Sequence, residues 1–109
     1  MSRVIAVDFD GCLCANRWPE IGEANHGAIR ELIRLRERGA RLILWTCRTG
    51  ARLDEAVSWC RGRGLTFDAV NDNVPERVVQ YGGDTRKVSA DEYWDDLAVR
   101  VRCGEVIRA

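Results

Sequence analysis

Lysine is almost missing from this chain. Of seventeen basic residues, one, Lys87, is a lysine, so a position keeping it is one where a compact ammonium does what a planar guanidinium fork does not. Histidine is equally scarce, with His26 standing alone at the start of a helical pattern. The five cysteines, Cys12, Cys14, Cys47, Cys60 and Cys103, form no Cys-x-x-Cys pair and no Cys/His zinc spacing. No histidine lies beside Cys12 or Cys47 in sequence to activate a thiol nucleophile. An odd number of thiols and no secretory leader predict a reduced, cytoplasmic protein, because Asp8 interrupts the first apolar run almost at once. No apolar run approaches membrane-spanning length, so no membrane partner is expected. Excess charge of either sign is also missing. Lys plus Arg and Asp plus Glu both number 17, which argues against a general nucleic-acid footprint. With 109 residues, 46% of them hydrophobic, the chain supports one domain, residues 1–109, and one core.

The most informative segment is Val4-Ile5-Ala6-Val7-Asp8-Phe9-Asp10-Gly11. Its continuous β-branched run reads as a parallel strand covered on both faces. Alternation then turns Asp8 and Asp10 the same way, and Gly11 lets the backbone leave sharply. Two converging carboxylates form a hard-oxygen site suited to Mg²⁺. Arg41-Leu42-Ile43-Leu44-Trp45-Thr46 is a second buried strand ending in a hydroxyl, followed by Cys47-Arg48. Tyr93-Trp94-Asp95-Asp96 is a third short apolar stretch running into acids, with Lys87 upstream.

Between these lie helical patterns. Asn25 can cap a helix through about Arg38, with Ala28, Ile29, Leu32, Ile33 and Leu35 inward and Gly39 as its stop. A second runs from about Ala51 to Arg63, burying Leu53, Ala56, Val57 and Cys60, with Trp59 at the rim of that face as a self-association candidate. Phe67 to Val70 is a further strand, after which Asn73 is expected to cap a short helix containing Pro75 and broken at Gly82-Gly83-Asp84. Alternating strands and helices predict an α/β fold with a mainly parallel sheet. Beyond Leu97 the valines fit either an edge strand or a short helix.

Asp8-Phe9-Asp10-Gly11, Thr46, Lys87 and Asp95-Asp96 stand in the order of the four motifs of the haloacid dehalogenase (HAD) superfamily of phosphotransferases, and residues 3 to 96 resemble that superfamily. Trp18-Pro19-Glu20-Ile21-Gly22 is similar to a stretch of its small bacterial and phage hydrolases that lack a cap domain. The resemblance implies a Rossmann-like three-layer sandwich with a short flap, residues 13 to 23, open to a small phosphate or the phosphorylated end of a larger molecule. It implies a Mg²⁺-dependent phosphomonoesterase in which Asp8 is the nucleophile and Asp10 the general acid/base. The metal falls to Asp8, the Asp10 backbone carbonyl and the acidic pair, Asp96 ahead of Asp95, leaving Asp95 to orient Lys87. Thr46 and Lys87 would hold the phosphoryl oxygens, with Arg48 as a further phosphate contact and Trp18 as a packing or stacking residue. Cys12 departs from the family's Thr or Val after the glycine. Two other readings share these features. A signalling receiver domain has similar acids, Thr and Lys but takes its phosphate after the third strand, here Asn71-Asp72-Asn73, and a non-catalytic HAD-like module would bind phosphate or metal without turnover.

Overall fold

The first strand, β1 (Val4–Val7), is buried at every position and lies at the heart of a computed structural model that describes residues 2–108. It pairs in parallel with β4 (Arg41–Leu44) on one side and β6 (Glu92–Trp94) on the other. A short strand, β5 (Ala69–Val70), extends the sheet beyond β4, giving the order β5-β4-β1-β6. The chain therefore leaves β1 toward one edge and later returns to its other flank. A parallel sheet opens a crevice at the carboxyl ends where its order reverses in this way, and here that point is the end of β1.

Strand alternation divides the core into two layers. Ile5, Val7, Leu42 and Leu44 face α1 (His26–Glu37) and α2 (Gly50–Gly62), meeting Ile29, Leu32, Ala56 and Cys60. Val4, Ala6 and Ile43 face the opposite way, onto Val74 and Val88 beside α3 (Pro75–Tyr81). Each large apolar side chain fully buried here stabilises the fold by about 1.5–3 kcal/mol, before the entropy of ordering it.

Asn25 caps α1 as its sequence predicts, accepting the Ala28 N–H through its side chain at 3.1 Å. Asn73 does not cap α3. Val74 occupies that position in an extended conformation, while the buried Asn73 amide donates to Asp84 and Thr85 and accepts from Ser89. It ties down the loop before β6 instead. The strand after α2 is shorter than expected: at its start the Asp68 N–H donates to the Leu42 carbonyl, but the Leu42 N–H is taken by the Asp68 carboxylate instead of by a backbone carbonyl.

The flap is a hairpin of β2 (Cys14–Arg17) and β3 (Glu20–Ala24), closely apposed at Gly22, where a Cβ would stand 2.2 Å from the Ala15 carbonyl oxygen. The chain after Leu97 is neither an edge strand of the main sheet nor a helix. It forms a separate antiparallel hairpin, β7 (Arg100–Arg102) with β8 (Glu105–Ile107), exposed throughout. Among the described residues, no helix is long and apolar enough to cross a membrane.

Candidate metal and phosphate site

Three carboxylates gather at the carboxyl ends of β1 and β6. Val7 pairs with Trp94, and the Asp8 N–H donates to the Trp94 carbonyl at 2.9 Å, so the residues that follow each strand, Asp8, Asp95 and Asp96, emerge side by side. An oxygen from each lies within 4.8 Å of the others. Asp91 secures β6 at its other end, its carboxylate accepting from the Val4 N–H at 2.8 Å and from Arg77 at 2.7 Å.

Among the described residues, none of the three clustered acids is paired with a basic side chain. Burial raises the pKa of Asp8, the Phe9 N–H at 2.8 Å opposes that, and the charges of Asp95, Asp96 and Asp10 raise it further. Oxygen donors crowded together without counter-charge suit a small hard cation, so Asp8, Asp95 and Asp96 fit Mg²⁺. Gly11 makes the cluster possible. It adopts φ +85°, and a Cβ there would lie 2.5 Å from an Asp96 oxygen. The Cys12 thiol beside the cluster is pushed up to about 12, first by burial and then by Asp8, Asp95 and Asp96, so it is protonated at neutral pH and is no nucleophile.

Asp10 turns away from this cluster toward Arg48. Arg48 is 1% exposed, the largest fully buried side chain among the described residues. Its Nε and Nη2 donate to the two Asp10 oxygens, each at 2.8 Å, and its remaining N–H groups donate to the Pro19, Glu20 and Arg52 carbonyls. A guanidinium offers five donors, and here all five are spent inside the protein. Arg48, expected as a further phosphate contact, has every donor engaged within the protein here. The residue fastens Asp10, the flap hairpin and α2 together.

Thr46 sits where its strand predicts. Its N–H is held at 2.8 Å by the Asn71 side chain, and its Oγ1 accepts the Arg48 N–H at 3.1 Å, which leaves the hydroxyl proton free to donate. Asn71 serves from a left-handed backbone, φ 53°, which asparagine tolerates better than most residues. Lys87 is not brought to the acids. Its ammonium rests 5.4 Å from the centroid of the Tyr93 ring, and Asp95, its expected partner, accepts the Leu97 N–H at 2.8 Å.

A cavity of about 340 Å³ opens at this end of the sheet, lined by Asp8, Asp10, Thr46, Arg48, Trp18 and Leu97. Cys47, beside Thr46 in sequence, borders it as expected, whereas Asn16 and Leu97, which also line it, were not legible as site residues. Only the proximity of Leu97 to the acidic pair gave a signal. Trp59, proposed from sequence as a self-association residue, packs edge-on against Phe9 at 5.5 Å and is covered by Arg63 at 3.8 Å.

No family model and no curated protein matches the chain. A solved structure does: a conserved protein coded by a locus from Bacteroides thetaiotaomicron is 45% identical, with a TM-score of 0.79 over 90% of this chain and 78% of that one. At that identity and coverage, this chain belongs to the same family as the conserved Bacteroides protein.

Proposed function

We propose that the protein is a Mg²⁺-dependent phosphomonoesterase of the HAD type, acting through an aspartyl-phosphate on Asp8. The observation that carries this reading is the convergence of Asp8, Asp95 and Asp96 within 4.8 Å beside Asp10 and Thr46, at the point where the sheet order reverses. Asp8, Asp95 and Asp96 would hold the cation, which supplies positive charge to offset the repulsion between a carboxylate nucleophile and an anionic ester.

In the first displacement an Asp8 oxygen attacks phosphorus as the bond to the leaving oxygen breaks, and that oxygen takes a proton from Asp10, one of whose oxygens must first turn out of the Arg48 fork and be protonated. In the second, Asp10 takes a proton from water, whose oxygen displaces Asp8 from phosphorus and releases inorganic phosphate. The chain's remaining work is positional. The Thr46 hydroxyl donates to a phosphoryl oxygen, and Arg48, keeping one of its two Asp10 contacts, positions Asp10 beside the leaving group. Lys87 would contribute its charge by leaving the Tyr93 ring, a movement its long unbranched stem permits.

The test is turnover of p-nitrophenyl phosphate with and without Mg²⁺. Wild-type turnover abolished by chelator and by Asp8→Asn is the expected result, and activity persisting in either condition overturns the assignment. Acetyl phosphate labelling mapped to Asp8, rather than to residues 71 to 73, separates this reading from that of a receiver domain.

A further inference from the structure

Two exposed apolar side chains stand at the mouth of this cavity. Trp18 comes from the turn of the flap hairpin and contacts Arg48, and Leu97 directly follows the acidic pair after β6. Trp18 is 55% exposed and Leu97 is 83% exposed. Neither is there by looseness of the chain. The central carbon of the Arg48 guanidinium lies over both the Phe9 and the Trp18 ring, 5.0 Å from each centroid, so one indole face rests against a buried cation while over half of the residue stays accessible. The Leu97 N–H is held by Asp95.

We infer that Trp18 and Leu97 form a clamp for the organic part of the substrate, and that the site selects phosphomonoesters whose phosphate is carried on a flat ring over those on an open alkyl chain. The inference rests on the phosphomonoesterase reading of the same site. An indole immobilised on one face offers a stacking surface with little conformational entropy left to lose, and its π-system favours another ring over an aliphatic chain of equal size. Leu97 supplies a second apolar wall of the same cavity. A cavity of about 340 Å³ is at the small end of ligand sites, enough for a phosphate and one ring system. Charge recognition is already supplied by the acids with their cation and by Thr46, so the clamp adds discrimination among leaving groups.

The experiment compares benzyl phosphate with n-propyl phosphate, whose alkoxide leaving groups are of similar basicity, in the presence of Mg²⁺, for the wild type, Trp18→Ala, Trp18→Phe and Leu97→Ser. The expected wild-type preference in kcat/KM is about tenfold or more for benzyl phosphate. It should fall about tenfold in Trp18→Ala, recover in Trp18→Phe and fall severalfold in Leu97→Ser, whose exposed side chain bears little on folding. Equal kcat/KM for the two esters in the wild type, or a preference that survives both truncations, overturns the clamp. If neither ester is turned over, the phosphatase reading fails, and calorimetric binding of the same two esters decides the clamp alone. Tighter binding of benzyl phosphate that is lost in Trp18→Ala sustains it; equal binding of both refutes it.

Discussion

Arg48 meets Asp10 as a two-point fork, Nε to Oδ2 and Nη2 to Oδ1, both at 2.8 Å, from a side chain that is 1% exposed. Its charge is held by the Asp10 hydrogen bond, which raises the arginine pKa more than burial lowers it. Replacing it with lysine keeps the charge but cannot reproduce the planar fork or reach the flap carbonyls together. Arg48→Lys is expected to cost about 2–4 kcal/mol by denaturant unfolding. It should also lower kcat more than it raises KM, since the lost function is aiming Asp10. A KM effect alone would return Arg48 to substrate binding.

Asp8 is a liability to the fold in the absence of a cation. Because burial and then its acidic neighbours raise its folded pKa, the folded chain binds that proton more tightly than the unfolded chain does. The penalty is absent below the ordinary value of 3.8, grows as pH rises through the folded value, and is fully present at neutral pH. Asp8→Asn should therefore raise Tm in chelator at neutral pH while lowering turnover by at least about 1,000-fold. Added Mg²⁺ should stabilise the wild type more than the variant. A lower Tm for the variant in chelator would contradict the electrostatic account.

Gly11→Ala tests the cluster without altering any carboxylate. A side chain at φ +85° costs about 1–2 kcal/mol, and the new methyl would intrude on Asp96. Mg²⁺ affinity, measured by calorimetry, should drop at least about tenfold. Unchanged affinity would mean that Asp96 is dispensable to the cation.

Lys87 is exposed, so Lys87→Met should leave stability within about 0.5 kcal/mol of wild type. Turnover should nonetheless fall about 100-fold, with partial rescue by Lys87→Arg. Full activity in the methionine variant would leave Lys87 as a surface residue resting on Tyr93.

Asp68 anchors the far edge of the sheet. Burial raises its pKa, but hydrogen bonds from Arg36 and the Leu42 N–H, with the charges of Arg36 and Arg41, more than offset that and leave it lowered. Its contribution is present above the ordinary value of 3.8 and is lost as pH falls toward the folded value. Asp68→Ala should cost about 1–3 kcal/mol at pH 7, where it leaves the Leu42 N–H unpaired. Much less should be lost at pH 3, and a constant difference would exclude linkage to this carboxylate.

The buried strands and the helices were legible because each answers to a local rule. The alternating faces of β1 and β4, the stripe of Ile29 and Leu32, and the Asn25 cap are all written within a few residues of one another. The acids and Thr46 were legible for the same reason, each marking the end of an apolar run. What escaped were choices made by distant partners. Nothing around Arg48 in sequence announces that Asp10, Pro19 and Glu20 will exhaust its donors, and a surface arginine would read identically. Asn73 resembles a cap, yet its amide is claimed by a loop twelve and sixteen residues ahead. The terminal hairpin escaped because β6 is short and the valines beyond it find pairing with each other instead of with the sheet.

The strand order carries a consequence for how the protein comes into being. β1 emerges first and supplies Asp8, but the acids that complete the cluster arrive with β6, paired to β1 across a separation of 87 residues in sequence. Closing so long a loop is entropically slow, and β6 makes only a three-residue ladder at the margin of the sheet. The acidic constellation is therefore complete only once this long-range pairing has formed. A cation that bridges Asp8 to Asp95 and Asp96 would fasten the final strand to the first, so that occupation of the site and completion of the fold become the same event.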